Sequence, residues 1–573
     1  MEAFPYYGSI LPSLVTFIWG RKHPSGRVDY YLRQTARDGG KVRVTLNLYL
    51  GTADQLLERL QKIQQEVLDR CELASFPFGL PAALITADRE LGLSQLIEEE
   101  TGSPATAQAL LAFVLGRAEE PLSKNAMGSW YIRSGLPFLL PPPPALDTRS
   151  YLRHMDRLDD ATIDRVTFRL AQQLKARGFS SSLIFFDTTN FSTEQQPRPG
   201  DAERQLPRAG HAKDGNRQAK LVGLATATSE EHLPTFHRVY PGNENDARLF
   251  REVVRDMVAT LVKLGEKAEE LCFVIDKGMN SEEGWTALRG EKVHFVGSLK
   301  RSQVADLMRT PLAKFSSTYT TESGERIRMC RSARTVMGVK GVVVMAYNPA
   351  AERRQAVDYA RAKERFLLEG ITIAEAAGQR HRGRPPTVAG TTRRQIGLIP
   401  EKWVKVFRFH VGPTLDEGTS RLSVRVWVEE KAEAEKRAGF GRTAIFTDRT
   451  EWGDEKIART YYARSGIEED YHVLKDVLLF PVMPIYHRKD WRIREHTFLC
   501  VMGLLLYRYV QLRLEKAQKV RTPIGALVAR LKRIRLGVVS VDEGKAVRAK
   551  LERMGPEEQR IVKALDLATL VPK

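Results

Sequence analysis

Two short apolar runs predict buried strands, each followed by an aspartate. Residues 183–186 (LIFF) and 271–275 (LCFVI) show no alternation of polar and apolar positions, which is typical of strands covered on both faces of a sheet. Asp187 follows the first run and Asp276 follows the second. Each carboxylate is therefore predicted at the end of a rigid strand, as a candidate metal ligand. The alternative for Asp187 is an aspartate that caps a turn.

The pattern around these runs predicts the order of the elements. Strands at 219–228 and 233–240 follow the first run, and a helix ending near 264 precedes the second, which a short helix and a strand at 293–299 follow. This order is typical of a mixed sheet. If its first and fourth strands are neighbours, Asp187 and Asp276 lie side by side, and two like charges so placed need a cation between them.

A polar stripe in residues 461–475 (YYARSGIEEDYHVLK) predicts a third acidic group. The stretch has no proline and one glycine, so we interpret it as a helix. At helical spacing, one stripe within about 60° holds four polar side chains: Tyr461, Arg464, Glu468 and Lys475. Such a stripe suits a phosphate polymer, with Glu468 as the natural third ligand. The alternative is a solvated face with an ion pair between Arg464 and Glu468.

Composition shifts along the chain predict several domains, as expected for 573 residues. The proline-rich stretch ending near 148 is a linker. Before it lie a basic hairpin at 28–51 and several helices, and short strands dominate 300–450. The apolar run 498–507 is too short to span a bilayer and predicts a buried core helix. The predicted parts are a mostly helical N-terminal region (1–148), a core in two pieces (149–299 and 451–510), a β-rich insertion (300–450) and a helical tail (511–573).

The charge of the chain favours a polyanionic partner. Lysine and arginine number 89 against 70 acids, so the net charge is +19. Nucleic acid is the commonest partner of such a protein. The four cysteines are far apart in sequence and show no zinc spacing, and no leader or membrane span is evident, so we expect a cytoplasmic protein without a membrane partner.

Two further basic segments are candidate DNA contacts. Arg382 and Arg384 belong to an Arg-Gly-Arg-Pro sequence that looks like a minor-groove hook, although a plain basic loop is the alternative. Lys213 and Arg217 lie in the polar stretch between the first two predicted strands.

The motifs together resemble the DDE transposases of bacterial insertion sequences, in particular the IS-four superfamily. The pattern Y-x2-R-x3-E-x6-K is met in full by the stripe, and FFDTTNF and VIDKGM look like the two aspartate blocks. Other similar blocks are GHAKDGNRQAKLVGL at 210–224, PGNENDA at 241–247 and PLSKNAMGSW at 121–130. The resemblance covers about 85 to 510.

The resemblance implies a protein of mixed α/β class, that is, an α+β multidomain chain. Its catalytic core would be an RNase H-like mixed sheet that the insertion interrupts. It implies that Asp187, Asp276 and Glu468 are catalytic and hold two Mg²⁺ or Mn²⁺ ions. The N-terminal region would bind terminal inverted repeats, and a homodimer would move the element into target DNA by cut-and-paste. Two cations about 3.5–4 Å apart suit in-line displacement at a phosphodiester.

Three other functions remain open from the sequence. A domesticated relative would bind DNA without moving it, and a structure-specific nuclease with the same core would cut without strand transfer. A basic nucleoprotein without catalytic activity would tolerate loss of Asp187. A transposase should instead keep end binding and lose cleavage in Asp187→Ala, Asp276→Ala or Glu468→Ala.

Overall fold

The computed structural model describes residues 15–38, 41–69, 71–141, 145–180, 182–193, 195, 206–210, 220–244, 246–279, 281–321, 324–379, 385–414, 421–541 and 545–572. Its strands are β1 (Val15–Lys22), β2 (Val28–Asp38), β3 (Lys41–Thr52), β4 (Cys71–Pro77), β5 (Leu183–Ser192), β6 (Arg208–Ala209), β7 (Lys220–Thr228), β8 (Pro234–Pro241), β9 (Cys272–Ile275), β10 (His294–Ser298), β11 (Ser317–Thr320), β12 (Arg326–Val336), β13 (Val339–Tyr347), β14 (Phe407–Pro413), β15 (Leu422–Val428), β16 (Arg442–Thr447), β17 (Arg535–Val541) and β18 (Lys545–Leu551).

The helices are α1 (Ala53–Asp69), α2 (Gly79–Leu91), α3 (Leu93–Thr101), α4 (Pro104–Glu119), α5 (Met127–Arg133), α6 (Thr148–Met155), α7 (Asp160–Ala176), α8 (Asp246–Lys263), α9 (Glu282–Gly290), α10 (Pro349–Gly378), α11 (Val388–Gly397), α12 (Glu430–Ala438), α13 (Asp454–Tyr462), α14 (Ser465–Val473), α15 (Asp490–Gln518), α16 (Ile524–Lys532) and α17 (Pro556–Ala564).

A large mixed sheet forms the centre of the molecule. Its strand order is β11-β12-β13-β16-β10-β9-β5-β7-β6, with β8 also paired to β7. Strands β5, β9 and β10 are parallel and their neighbours are antiparallel, so helices cover both faces and the central strands are almost wholly apolar. The predicted mixed α/β class with an RNase H-like sheet is confirmed.

Strand β5 is longer than the apolar run predicted. We expected Asp187 at the carboxyl end of its strand, but β5 continues to Ser192. The first residues of β5 pair with β9 and the later ones pair with β7. Asp187 therefore lies mid-strand, at the point where β9 ends. The polar residues Thr188, Thr189 and Asn190 suggested a turn after Asp187, but they continue β5 and pair with β7.

Helix α15 is the buried core helix that the apolar run predicted. It is much longer than the run, and most of its side chains from Ile493 to Leu514 are buried. By length and composition it could cross a bilayer, but 89% of its most apolar window is buried inside the protein. The apolar surface of α15 is thus satisfied by the protein core, where it packs on α2, α4 and β8.

Residues 300–450 contribute to two separate sheets. Strands β11, β12, β13 and β16 join the central sheet, whereas β14 and β15 form a hairpin of their own. Helix α10 packs on β15, and a small aromatic cluster that includes Phe366, Trp403 and Phe407 joins them. The strand predicted at 403–411 begins only at Phe407, because a short 3-10 helix holds Trp403 in this cluster.

The tail predicted as helical also contains a β-hairpin. Strands β17 and β18 pair with each other, and β17 pairs with β4 of the N-terminal region along its length. The tail therefore folds against residues 71–77. Its helices α16 and α17 are present, whereas residues 535–541 and 545–551 of the tail predicted as helical are strands.

The predicted helix over 461–475 is two helices. Helix α13 ends at Tyr462 and α14 begins at Ser465. Between them the amides of Arg464, Gly466 and Ile467 bond to the carbonyl three residues earlier, so the chain tightens into 3-10 turns. Lys475 lies beyond the end of α14. The break reorients the two halves of the polar stripe.

Candidate active site

Asp187 and Asp276 are neighbours because their strands are parallel and in register. Leu183 pairs with Cys272 and Phe185 pairs with Val274. The same register continued by two residues sets Asp187 beside Asp276. One carboxylate oxygen of Asp187 also accepts a hydrogen bond from the amide of Thr188 at 2.8 Å. Asp187 is thus held within the central part of the sheet, and Asp276 directly follows the neighbouring strand.

Arg464 contacts all three carboxylates that the sequence singled out. Its Nη1 lies 3.4 Å from Oδ2 of Asp187, and its Nη2 lies 3.6 Å from Oδ1 of Asp276 and 2.5 Å from Oε1 of Glu468. The three acids, distant in sequence, therefore surround one guanidinium. The ion pair from Arg464 to Glu468, which the alternative interpretation predicted, is present as one edge of this cluster.

The guanidinium is largely buried and the acids differ in exposure. The side chain of Arg464 is 12% exposed, whereas those of Asp187, Asp276 and Glu468 are 16%, 32% and 57% exposed. Burial alone would lower the pKa of Arg464, but the charges of the three acids more than offset this and raise it. Arg464 is therefore a permanent cation at the centre, and Glu468 is the acid that rotates most freely.

Helix α14 is fastened to β5 by Tyr471. Its hydroxyl donates a hydrogen bond to the backbone carbonyl of Asp187 at 2.6 Å and lies 2.8 Å from the hydroxyl of Thr226 on β7. Burial raises the pKa of Tyr471 well above its ordinary value, so the hydroxyl keeps its proton. This bond ties the helix that carries Glu468 to the strand that carries Asp187.

Arg508 holds the opposite side of α14. It is fully buried on α15, and its guanidinium donates to Asp470 at 2.6 Å, to Glu469 at 3.0 Å and to the carbonyl of Gly466 at 2.8 Å. Glu469 and Asp470 thus point away from the acid cluster, as their positions on the predicted helix indicated. A buried cation with three such partners is costly to break.

His232 is the spacer between β5 and α14. Its ring lies 5.0 Å from that of Phe185, and a Cβ placed on Gly466 would overlap it. Burial, followed by the charges of Arg508 and Arg521, lowers the pKa of His232 to about 3, so the ring is neutral. Gly466 is therefore required by close packing, two residues before Glu468.

A basic cleft of about 1050 Å³ opens from the acid cluster. Tyr461 lines it beside Asp276, Arg464 and Glu468, and burial raises the pKa of its phenol, which bonds to Ser298. The far wall carries cations from 300–450 around a tryptophan: Lys300, Arg301, Lys402, Trp403, Lys436 and Arg442. The acids thus lie at the end of a positively charged groove.

Of the other predicted DNA contacts, only Lys475 belongs to the residues that the structure describes. The ammonium of Lys475 lies 5.8 Å from the ring centre of Phe191, farther along β5 than Asp187. Lys213, Arg217, Arg382 and Arg384 fall outside the described residues. Sequence reasoning missed Tyr471, Arg508 and His232. Only Arg508 carried a signal, as a lone charge closing an apolar run.

The donor types of the cluster fit a hard divalent cation. Carboxylate oxygens are the ligands that Mg²⁺ and Mn²⁺ prefer. Within the described ranges, however, no three acidic, imidazole or thiol groups are close enough to share an ion as they stand. Arg464 lies between them and supplies the positive charge. Metal would be held by Asp187, Asp276 and Glu468 once that guanidinium moves aside.

Comparison with known proteins agrees with this geometry. A family model described as the transposase DDE domain matches residues 178–506, which is more than half of the chain. The matched region begins before β5 and ends within α15, so it includes all three acids and the strands between them. No curated protein matches the chain.

Proposed function

The chain belongs to the family of transposases with a DDE domain, and from that premise we propose that it cuts the ends of a DNA element and joins them to target DNA. The observation that carries this proposal is the convergence of Asp187, Asp276 and Glu468 on one cationic centre at the end of a basic cleft. The nucleophiles are water, and then the 3′-hydroxyl that the first cut frees.

We assign the three acids as catalytic residues that hold two divalent cations, Mg²⁺ or Mn²⁺. When bound, such ions supply Lewis-acid stabilisation of the attacked phosphate and of the leaving oxygen. The sheet fixes Asp187 and Asp276, and the exposed Glu468 closes onto them from α14. Because β5 and β9 fix the two aspartates and Tyr471 ties α14 to β5, the adjustment needed to bind metal is confined to Arg464 and Glu468.

The cations beside the acids bind phosphate. Arg464, released from the carboxylates, grips a phosphate oxygen next to the scissile bond with its planar fork of donors. Tyr461, in the cleft, contacts a phosphate on one side of the scissile bond. Lys475, beside β5, contacts a phosphate on the other side. Lys213, Arg217, Arg382 and Arg384 remain proposed DNA contacts on sequence grounds alone.

The partners follow from the reaction. Terminal inverted repeats are bound by the N-terminal region, and two chains form a homodimer that holds a pair of ends for cut-and-paste transfer. Double-stranded target DNA enters the same basic cleft. These events belong to the cytoplasm and nucleoid of a bacterium.

Incubation of the purified chain with a duplex containing the inverted repeats that flank its gene, a target plasmid and Mg²⁺ tests this function. We expect double-strand cleavage at the repeat and joined products in the plasmid. Cleavage without joined products would identify a nuclease instead, and specific binding without cleavage would identify a domesticated DNA-binding relative.

A further inference from the structure

A second basic cavity lies away from the acid cluster, beside the block PLSKNAMGSW of residues 121–130. Its volume is about 790 Å³. The side chains that matter here come from α4, from the block itself and from the chain around the start of α15: Arg117, Lys124, Pro481, His487, Arg492 and His496. We call this cavity the Lys124 pocket.

Two cations in the Lys124 pocket have no carboxylate partner in the part of the chain that the structure describes. The Nζ of Lys124 donates to Nε2 of His487 at 3.0 Å. Arg117 is 6% exposed and donates to the carbonyl of Pro481, while its Nε is buried with no hydrogen-bond partner. Arg117 is buried and Lys124 is half-buried, and the ring of Phe113 lies within 6 Å of both. A cation held in such a place without a carboxylate is costly.

The nearby acids do not neutralise these cations. Asp156 is engaged by Arg492 in two bonds of 2.7 Å each. Burial raises the pKa of Glu495 to about 9, so its carboxyl is uncharged at neutral pH. The pocket therefore keeps a net positive charge that the described side chains leave unbalanced.

The ionisation of the neighbouring groups reflects this field. Burial, and then the charge of Arg117, lowers the pKa of Lys124 to about 8. Burial, and then Lys124, Arg492 and Arg117, lowers the pKa of His487 to about 3. An anion in the pocket would reverse both effects, because it would stabilise the charged forms.

Strand β5 leads from the acid cluster to the Lys124 pocket. Phe191 lies on the same face of β5 as Asp187, and Lys475 covers it. Thr193 then bridges to Ile485, and the side-chain Nε2 of Gln195 donates to the carbonyl of His487 at the pocket wall. Thr193 lies six residues beyond Asp187, which is about 20 Å at about 3.3 Å per residue of strand, and the pocket wall lies beyond it.

We propose that the Lys124 pocket binds a backbone phosphate of the element-end DNA, about six to eight nucleotides from the scissile bond. The proposal rests on the proposed function, and it adds a site that fixes where the end is cut. The distance matches that number of nucleotides at about 3.4 Å of helix axis each. Arg464 lies at Asp187 and Lys475 at Phe191 of β5, and Lys124 contacts His487 at the pocket beyond them, so cations recur in the direction of a DNA strand.

Substitution of Lys124 combined with removal of single phosphate charges tests the proposal. End DNA is prepared with one neutral methylphosphonate at each position in turn, and its affinity for wild type and Lys124→Met is measured without divalent ions. We expect Lys124→Met to bind about tenfold more weakly, as for loss of one hydrogen bond to a charged group. A methylphosphonate at one position, six to eight nucleotides from the cut, should weaken DNA binding by wild type. The same methylphosphonate should leave the affinity of Lys124→Met unchanged.

Lys340→Ala is the matched control, since it removes one exposed lysine from the hairpin between β12 and β13, which lines neither cavity. It should bind end DNA as wild type does, and the salt dependence of its binding should be unchanged. For Lys124→Met, the slope of log affinity against log salt concentration should decrease by the amount that corresponds to about one phosphate contact. Equal binding by both variants, or no methylphosphonate position that distinguishes Lys124→Met from wild type, would overturn the proposal.

Stability separates a binding role from a packing role. Because Lys124→Met removes a half-buried charge that has no carboxylate partner among the described residues, we expect its thermal midpoint to rise while its DNA affinity falls. A lower midpoint would mean that Lys124 serves packing, against the proposal. Inorganic phosphate or a nucleotide that raises the wild-type midpoint, while DNA contacts stay unaffected, would show that the pocket takes a free anion. Since the binding test needs no cleavage, it is independent of the catalytic assignment.

Discussion

Arg464 lies within 3.6 Å of the three acids, so one side chain compensates charges that would otherwise repel across the sheet. At the scale of single residues this contact explains how the acids stay close before metal and DNA arrive. If the acids hold metal as we propose, metal and the guanidinium would compete for the same oxygens. The ion pair within α14 is therefore part of the site and is not a plain surface pair.

Replacement of Arg464 by alanine should expose this competition. Without the guanidinium the acids repel, so the free energy of unfolding in EDTA should fall by about 1.5–3 kcal/mol. Mn²⁺ should then raise the thermal midpoint more in Arg464→Ala than in wild type. Arg459→Ala, which breaks an exposed pair with Glu455 on α13, is the control. An equal response of all three proteins to Mn²⁺ would contradict the competition.

His232 should make folding sensitive to mild acid. Its pKa is about 3 in the folded protein, against about 6.5 in the unfolded chain, so below pH 6.5 protons bind preferentially to the unfolded state. Its contribution to stability is full above pH 6.5 and is lost as the pH falls. Between pH 7.5 and 5.5, wild type should lose about 1.4 kcal/mol more than His232→Asn. Asparagine suits the positive φ of 62° at this position. Urea titrations at the two pH values measure these free energies of unfolding. An equal loss in wild type and in His232→Asn would refute the role of His232.

The candidate acids could be found from sequence because each has a local signal. Asp187 and Asp276 follow apolar strand-like runs, and Glu468 lies at helical spacing from Arg464. Tyr471 and His232 carry no such signal, since their roles depend on contacts with residues hundreds of positions away, such as the carbonyl of Asp187. The periodicity of a sequence indicates which face of a helix or strand is buried. It does not indicate which residues of other elements pack against that face.

At the scale of elements, the site depends on the distance between α14 and β5. Tyr471 pulls the helix onto the strand, and Arg508 holds its other side from α15. His232 and Gly466 set how closely the two elements approach. The break between α13 and α14 was not predictable from helix propensity, because it is these tertiary contacts that reorient the chain after Tyr462.

A methyl group at position 466 should misplace Glu468. In Gly466→Ala the added Cβ would overlap the His232 ring, so α14 must move off β5. A displacement of about 1 Å costs about 100-fold in rate, and we expect that loss in single-turnover cleavage with little change in DNA binding. Gly525→Ala, where an added Cβ meets nothing within 4 Å, should cleave normally. Full activity of Gly466→Ala would show that the spacing is not critical.

At the scale of the whole molecule, the C-terminal tail folds onto residues 71–91 of the N-terminal region. Strand β17 pairs with β4, and the 3-10 helix at 567–570 contacts α2. The prediction of a helical tail did not include the pairing of β17 with β4. Strand pairing between residues more than 450 positions apart leaves no local pattern in the sequence. The mixed central sheet was predictable, since its strands carry continuous apolar runs.

Leu567 should therefore stabilise the fold as a core residue would. It is fully buried in the same core as Phe78 and α15. Leu567→Ala should lower the free energy of unfolding by about 2–5 kcal/mol, as measured by chemical denaturation. Leu73→Ala on β4, where the side chain is 79% exposed, should change it little. Equal small effects would mean that the tail is a loosely attached appendage.

Single-turnover cleavage of end DNA by three conservative variants tests the central claim most directly. In Asp187→Asn, Asp276→Asn and Glu468→Gln, each acid keeps its shape and loses its charge. All three should bind the DNA as wild type does and show no cleavage with Mg²⁺, whereas Glu455→Gln, an exposed acid on α13, should cleave normally. Cleavage by any of the first three at the wild-type rate would contradict the assignment of a shared catalytic centre.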